Sequence, residues 1–273
     1  MVKAKKIKEI MIQSGFSLCG ICSFSSLPQL RDTRNKELLP VTAKSVIVGA
    51  LPYYTEDAKE QNISKYAVIP DYHKIIAEYC ENAVAELKKL YKNNEFVPFS
   101  DNSPIDEREA ARLSGIGKMG LHNLIITEKY GSFILLAEIV TDLTIEPDKP
   151  LGYCEGCFAC VKACPSSALK GKEGLKRENC ISSITQKKGE LTETEQDLFK
   201  KGYYIWGCDI CQNACPHNKN LSPVSTFDDG ILRKIKLSDI EDLSINEFIE
   251  KYKDRAFVWR GKDTLIRNIK LKS

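Results

Sequence analysis

A run of four cysteines near the middle of the chain is the first feature that could do chemistry. Cys154, Cys157, Cys160 and Cys164 follow the spacing C-x2-C-x2-C-x3-C, and Pro165 comes directly after them. Bacterial two-cluster ferredoxins use this spacing, and their fourth cysteine ligates the other cluster. Close spacing lets three thiolates converge on one face of a cube, while the turn at the proline sends the fourth elsewhere. The run therefore predicts two [4Fe–4S] clusters.

A second cysteine run supplies most of the remaining ligands. Cys208, Cys211 and Cys215 match the last three cysteines of the first run, and Ile205 stands where a leading cysteine would be. Cys180 is the only other cysteine nearby. Because the fourth cysteine of each run crosses to the other cluster, the ligands divide into two sets. The first set is Cys154, Cys157, Cys160 and Cys215, and the second set is Cys164, Cys180, Cys208 and Cys211.

Zinc is the alternative for these cysteines, because C-x2-C pairs also hold tetrahedral zinc. Zinc ribbons use two separated pairs, whereas this chain has a run of three closely spaced cysteines followed by Cys-Pro, which favours iron–sulfur. The other three of the eleven cysteines are Cys19, Cys22 and Cys80. They lie in apolar segments, so we expect buried structural thiols there.

The elements that must position these cysteines begin with a first half rich in α/β patterns. Ser45–Leu51, Asn123–Thr127 and Ser132–Thr141 are predicted strands. Apolar residues at helical spacing predict a helix over about Asp71–Tyr91, and a helix is also expected near Val2–Gln13. Further helices are predicted over Asp106–Ser114 and after the capping box Ser244-Ile-Asn-Glu247. The alternation predicts a three-layer α/β (α+β) domain.

About 150 residues precede the clusters, far more than a ferredoxin needs, so the excess indicates a catalytic or substrate-binding domain. That part contains no Rossmann, P-loop or H-E-x-x-H motif. Gly115–Gly120 follows a helix rather than a strand, which argues against nucleotide binding and favours a tight loop that approaches a large ligand. The net charge of +3 does not by itself indicate nucleic acid.

Several motifs resemble those of the epoxyqueuosine reductase family, and the likeness extends over nearly the whole chain. They include the Arg-x-x-Cys of Cys180 and the Gly-Cys-Asp-x-Cys-Gln-x-x-Cys-Pro of Gly207–Pro216. The other matching segments are Ser45–Tyr53, Asp71–His73, Asp101–Arg108, Gly131–Phe133, Glu138–Asp142, Trp259–Gly261 and Arg267–Asn268. In that family, electrons pass through two clusters to cobalamin, and the reduced cobalt removes the epoxide oxygen of epoxyqueuosine in tRNA.

The resemblance implies a fold and a division into domains. We expect a reductive-dehalogenase-like three-layer domain over residues 1–148 that binds cobalamin and substrate. A ferredoxin-like module would follow over 149–220, and residues 221–273 would pack back on the first domain. Asp71–Ile76 lacks the glycine of the cobalamin-ligating motif Asp-x-His-x-x-Gly, so cobalamin is expected base-off with no axial histidine from the protein.

The resemblance also implies site residues. The family's proton donor is the aspartate of Asp-x-x-Pro-x-x-Glu-Arg, which is Asp101 in this chain. The alternative is that Asp101 is a helix N-cap or loop carboxylate, and Asp106 is a nearby carboxylate that could take its role. The other expected cofactor contacts, with Tyr72 alternatively a core residue, are Tyr72, His73, Gly117, Gly120 and His122.

Two departures leave alternatives open. Where family members carry Gly-Leu-Gly-Trp-x-Gly-Lys, this chain has Gly115-Ile-Gly-Lys-Met-Gly-Leu121. It also ends at Ser273, without the helical repeats with which many members grip tRNA. A related reductase with a small-molecule substrate therefore stays possible, as does an electron-transfer protein without chemistry of its own.

The partners expected from the resemblance are the tRNA anticodon stem-loop and an external electron donor such as ferredoxin or flavodoxin. No apolar run reaches the roughly 20 residues needed to span a membrane, and no signal-peptide core follows the basic N-terminus. A cytoplasmic enzyme is the expectation.

Overall fold

Ser45–Pro52, an apolar segment that is buried along its whole length, becomes an inner strand of a sheet. The structure is a computed structural model that describes residues 3–56, 58–227 and 230–273. These residues form six strands: β1 (Leu18–Ser23), β2 (Ser45–Pro52), β3 (Phe96–Phe99), β4 (Lys118–Met119), β5 (Ile125–Ile126) and β6 (Ile134–Thr141). They also form ten α-helices: α1 (Ala4–Gln13), α2 (Lys65–Val68), α3 (Tyr72–Leu90), α4 (Glu107–Leu113), α5 (Ala159–Ala163), α6 (Ile181–Thr185), α7 (Glu193–Lys200), α8 (Ile210–Asn213), α9 (Ile245–Tyr252) and α10 (Lys262–Lys270).

Four of the strands make one sheet, in the order β1-β2-β6-β3, and every neighbouring pair is antiparallel. The connection from β1 to β2 contains short 3-10 turns but no α-helix. A parallel pair is usually joined by an α-helical crossover, and the lack of one here agrees with the antiparallel pairing. The first domain is therefore of the α+β class. Strands β4 and β5 form a separate small hairpin.

Helices cover both faces of the sheet. Helix α4 packs on the face that carries Val46, Val48 and Ala50. On the opposite face, Gly49 leaves room for Phe16, whose ring stacks edge-on against Tyr79 of α3 at 5.7 Å. Because successive strand residues point to opposite faces, this places α4 and α3 in separate layers. The sheet is thus the middle of the three layers that the sequence predicts.

The described residues fold as two compact units, each with its own interior. The first unit contains the residues up to Pro52, His73–Gly120 and Leu124–Glu155, and the second contains Tyr53–Tyr72, Leu121–Asn123 and Gly156–Ser273. In the second unit, residues from before and after the cysteine segment share one apolar core. Its most buried members include Ile63, Val68, Trp206, Ile235, Phe257 and Leu265. The boundaries predicted at 148 and 220 remain a prediction, because each unit is discontinuous in sequence.

Most predicted elements form close to their expected bounds. Helix α1 ends at Gln13 as predicted, whereas Val2 lies outside the described residues. The capping box at Ser244 is confirmed, since Ser244 and Glu247 exchange hydrogen bonds between side chain and backbone. Strand β5 is shorter than predicted, and β3 had no prediction at all. Strand β3 contains Pro98, which has no backbone N–H to donate. An edge strand tolerates this because it pairs with a neighbour on one side only.

Within the described ranges, no helix is both long enough and apolar enough to cross a lipid bilayer.

Candidate functional site

The second cysteine set gathers in one place within the second unit. Cys180 directly precedes α6, and Cys211 lies on the short helix α8. Burial is the main reason that the pKa of Cys211 lies well above its ordinary value. Negative charge on neighbouring thiols raises it further, and those thiols belong to Cys164, Cys180 and Cys208. Four neighbouring thiols are the donor set that a [4Fe–4S] cluster requires.

The first cysteine set is divided between the two units. Cys160 lies on α5 and Cys215 follows α8; both are buried, and the two helices pack together in the second unit. Cys157 is exposed in the same unit. Cys154 belongs to the first unit, where its backbone N–H donates to the carbonyl of Met119 at 2.9 Å. This set therefore remains a prediction from the spacing.

No three His, Cys, Asp or Glu side chains among the described residues converge as a site for a single metal ion. The three cysteines outside the sets lie in the first unit, with Cys22 and Cys80 buried and Cys19 half-buried. Burial is the main cause that raises the pKa of each of these thiols to about 12. They are therefore protonated at neutral pH, as expected for structural thiols.

A chain of buried hydrogen bonds supports the backbone next to Cys208. Asn268 of α10 is fully buried, and its Nδ2 donates to the carbonyls of Thr185 and Ile205, at 2.8 Å each. The hydroxyl of Thr185 in turn accepts a hydrogen bond from the backbone N–H of Gly207 at 3.0 Å. Helix α10 thus holds the segment that presents two cysteines of the second set.

Gly207 allows a turn that no other residue would fit. Its φ is +67°, and a Cβ there would lie 1.9 Å from the Ser64 hydroxyl. We expect Gly207→Ala to destabilise the second unit by about 2–4 kcal/mol, because the left-handed backbone strain and the overlap add together. Urea unfolding and iron content of the purified protein measure this.

Gly189→Ala is the matched control, since Gly189 has a φ of +75° but open space around the added Cβ. It carries the backbone strain without the overlap, so we expect a loss of only about 1 kcal/mol. Equal losses in the two variants would contradict the contact with Ser64.

The predicted proton donor pairs with a predicted cofactor contact in the first unit. Asp101 lies between β3 and α4, and its Oδ2 is 2.7 Å from Nε2 of His73 in the first turn of α3. Both side chains are partly open to solvent, with 38% of His73 and 52% of Asp101 exposed. Asp101 and Asn102 have φ of 51° and 45°, the left-handed region that costs non-glycine residues energy. Such strain is typical of functional loops.

The loop after Asp101 is anchored at several points. The carbonyl of Pro104 accepts from the backbone N–H of Arg31 at 2.7 Å, and Ser103 donates its hydroxyl to Glu138 at 2.5 Å. Asp106 accepts backbone hydrogen bonds at the start of α4 and pairs with Arg31 at 3.0 Å. Asp106 is therefore the N-cap of α4, and the N-cap alternative for Asp101 is wrong.

The other predicted contacts have different surroundings. A Cβ at Gly117 would lie 2.5 Å from Ile125, so the hairpin needs a glycine there for its own packing. Gly120 donates its N–H to the carbonyl of Leu124 at 2.9 Å. In the second unit, His122 is buried, and burial followed by the charge of His217 lowers its pKa to about 4.

Tyr72 makes an edge-on contact with Tyr66, their ring centroids 6.3 Å apart. This ring contact lies within the second unit. It agrees with the alternative interpretation of Tyr72 as a packing residue.

Two further acids near Asp101 were not assigned a role from the sequence, although both lie in matching segments. Glu107 begins α4, and Glu138 is fully buried in β6. Burial is the largest cause that raises the pKa of Glu107 to about 7 and that of Glu138 to about 8. A glutamate inside the apolar run Ile134–Thr141 was the signal available in the sequence.

Two family models match the chain. One is described as "Epoxyqueuosine reductase QueG, DUF1730" and covers residues 33–102, and the other is a "4Fe-4S double cluster binding domain" over residues 153–218. The second match agrees with the prediction of two clusters, since it spans all eight cysteines of the two sets.

Similar proteins include several bacterial epoxyqueuosine reductases. One from Leadbetterella byssophila is 31% identical over 97% of this chain and 97% of its own length. One from Lactococcus garvieae is 34% identical over 73% of this chain. The chain spans 57% of the Lactococcus garvieae protein and 66% of a Bacillus cereus relative.

Solved structures of epoxyqueuosine reductases are similar across 98% of this chain. An epoxyqueuosine reductase with an epoxyqueuosine-modified tRNA-Tyr stem loop has a TM-score of 0.86 at 28% identity, and 80% of it is covered. A Bacillus subtilis epoxyqueuosine reductase, solved with its catalytic aspartate loop swung out of the active site, gives 0.85 at 28% identity and 80% coverage. A catabolic reductive dehalogenase shares the fold at a TM-score of 0.54 and 16% identity, over 80% of this chain and 32% of its own.

Proposed function

This chain belongs to the epoxyqueuosine reductase family, and we propose that it reduces epoxyqueuosine in tRNA to queuosine. The observation that carries this proposal is the pairing of Asp101 with His73 at 2.7 Å on a strained, partly exposed loop. The pair therefore places the Asp101 carboxyl group where a substrate can reach it. The double-cluster segment supports the same reaction, because it supplies a path for electrons.

The reaction determines what the protein must provide. Converting an epoxide to an alkene takes up two electrons and two protons, breaks two C–O bonds and releases the oxygen as water. We propose that Asp101 gives a proton to that oxygen, and that His73 Nε2 orients the carboxyl group through its hydrogen bond to Oδ2. The cysteine sets would hold two [4Fe–4S] clusters that deliver single electrons.

We propose cobalamin as the third redox group; when bound, it would supply the electron pair that opens the epoxide. Asp101 and His73 fit such a cofactor because both side chains are partly open to solvent in the first unit. His73 already uses Nε2 to contact Asp101, which suits a corrin bound base-off without a histidine ligand. A reductive dehalogenase shares the fold, but fold similarity at this level does not by itself indicate cobalamin binding.

The partners we propose are the tRNA anticodon stem-loop and a low-potential electron donor such as ferredoxin or flavodoxin. A family member binds an epoxyqueuosine-modified stem loop, and this chain resembles it across the fold. A tRNA substrate would place the enzyme in the cytoplasm.

The direct test is conversion of the substrate by purified protein. The protein is reconstituted with iron, sulfide and cobalamin under anaerobic conditions, then given a strong reductant and tRNA that carries epoxyqueuosine. We expect queuosine in the digested tRNA by mass spectrometry. Protein that holds both clusters and cobalamin yet forms no queuosine would overturn the tRNA assignment and favour a small-molecule substrate. Protein that never retains a corrinoid would favour simple electron transfer.

A further inference from the structure

Glu138 is a buried acid with an incomplete set of hydrogen bonds. It is 0% exposed, and its Oε2 accepts a hydrogen bond from the Ser103 hydroxyl at 2.5 Å. Its Oε1 is buried as well and has no hydrogen-bond partner within the part of the chain that the structure describes. An ionised carboxylate in that position would lose its hydration with little in return. Glu138 is therefore best accommodated as a neutral, protonated acid.

Glu107 interacts electrostatically with both Glu138 and Asp101. After burial, the charge of Asp101 is the next cause that raises the pKa of Glu107, and the charge of Glu107 does the same for Glu138. The three acids are thus close enough to influence one another in the order Asp101, Glu107, Glu138. Ser103, two residues after Asp101, adds a direct link from this loop to Glu138.

The other charged and titratable groups near Glu138 do not outweigh its burial. Arg31 faces the cluster from the loop after β1, but it pairs with Asp106 at 3.0 Å. Arg108 also contacts Asp106, at 3.2 Å. Cys22 of β1 is a buried thiol whose pKa the charge of Glu138 helps to raise. Because both arginines are engaged with Asp106, burial dominates at Glu138 and keeps its proton in place at neutral pH.

We propose that Glu107 and Glu138 store the second proton of the reaction and pass it toward the substrate through Asp101. This inference rests on the proposed function, because it names the source of the second of the two protons that the reaction takes up. Asp101 gives the first proton to the epoxide oxygen as one C–O bond breaks. The second leaves Glu107 for Asp101 as Asp101 protonates the departing oxygen, which goes as water when the other C–O bond breaks.

The transfer balances and has a direction. Two electrons arrive from the low-potential donor, two protons arrive from the acids, and the products are an alkene and one water. A hydroxyl group that departs as hydroxide is a far stronger base than any carboxylate, so the net transfer runs toward it as the second C–O bond breaks. Glu138 then passes a proton to Glu107, and Asp101 and Glu138 each take up one proton from solvent after the product leaves.

The resting protein tests the store without any turnover. Infrared spectra of the reconstituted protein at pH 7 should contain the carbonyl stretch of a protonated carboxyl group, because ordinary acids with a pKa of about 4 are ionised there. Glu138→Gln should remove the part of that band that Glu138 contributes, so its intensity falls, whereas Glu109→Gln, on the same helix as Glu107 but paired with Arg112, should keep the full intensity. Absence of the band from the unsubstituted protein at pH 7, or an unchanged intensity in Glu138→Gln, would overturn the proposal.

Turnover separates this inference from the proposed function. In Glu138→Gln we expect kcat on epoxyqueuosine-containing tRNA to fall about 10-fold with KM unchanged, less than the roughly 10²–10⁴-fold that a positioned acid contributes directly, because Glu138 acts through Asp101. The decline of kcat with rising pH, expected between about 7 and about 8, should move as well. An unsubstituted protein that makes no queuosine contradicts the proposed function. A Glu138→Gln variant with unchanged kcat and pH profile contradicts the proton store alone.

A second variant covers the case in which Glu138→Gln does not fold. Ser103→Ala removes the hydroxyl that donates to Glu138 and leaves the carboxyl group in place. The infrared band should persist at a shifted frequency, since the hydrogen bonding of the carboxyl group has changed. A band of unchanged frequency would contradict the contact that links the loop to Glu138.

Discussion

Cys180→Ala leaves protein that, after anaerobic reconstitution, binds one [4Fe–4S] cluster instead of two. The second set then has only three thiols, and a cluster held by three cysteines loses both affinity and shielding. Iron and sulfide per chain should fall to about half, with one of the two electron paramagnetic resonance signals absent. Turnover should fall by more than the roughly 10–100-fold that loss of an outer-shell partner of a metal site costs.

Cys80→Ala is the matched control for this experiment. Cys80 is a buried thiol on α3 in the first unit and belongs to neither set. The Cys80→Ala variant should keep both clusters and lose only packing contacts within the first unit. A full complement of iron in Cys180→Ala would show that another residue completes the second set. Loss of a cluster from Cys80→Ala would contradict the division of the eleven cysteines into eight ligands and three structural thiols.

Asp101→Asn should abolish turnover while both clusters and cobalamin remain bound. Asparagine is almost the same size and can still accept a hydrogen bond from His73, but it has no acidic proton to give. General acid catalysis by a positioned side chain contributes about 10²–10⁴-fold, and we expect a loss of that order in kcat. Single-turnover conversion of epoxyqueuosine in tRNA, followed by mass spectrometry, is the measurement.

Asp106→Asn distinguishes Asp101 from the other nearby carboxylate. Asp106 caps α4, and asparagine caps helices about as well as aspartate, so the loop should keep its shape. The variant loses the ion pairs with Arg31 and Arg108 but no proton donor. We expect turnover within a few-fold of the unsubstituted protein. Normal turnover in Asp101→Asn, or an equal loss in Asp106→Asn, would remove Asp101 from the mechanism.

Local patterns account for the features that the sequence predicted well. The cysteine runs lie within eleven and eight residues of chain, so their spacing alone predicts which sulfurs can share a cluster. Helix α3 and the capping box of α9 follow from periodicity and from contacts three or four residues apart. Cys180 was assigned by counting, and in the second unit it lies near the other three members of its set.

Contacts between distant segments were decided only by tertiary structure. Asp101 meets His73 across 28 residues, Ser103 meets Glu138 across 35, and Asn268 meets Thr185 across 83. No spacing rule reaches so far, because these pairs form only when strands and helices pack around a common core. The same holds for Glu138, whose glutamate is visible in the sequence but whose burial and unpaired oxygen are not. Sequence alone therefore predicted two clusters and the cysteines that would hold them, because their spacing is local, and folding decided which buried acids lie near the proposed proton donor.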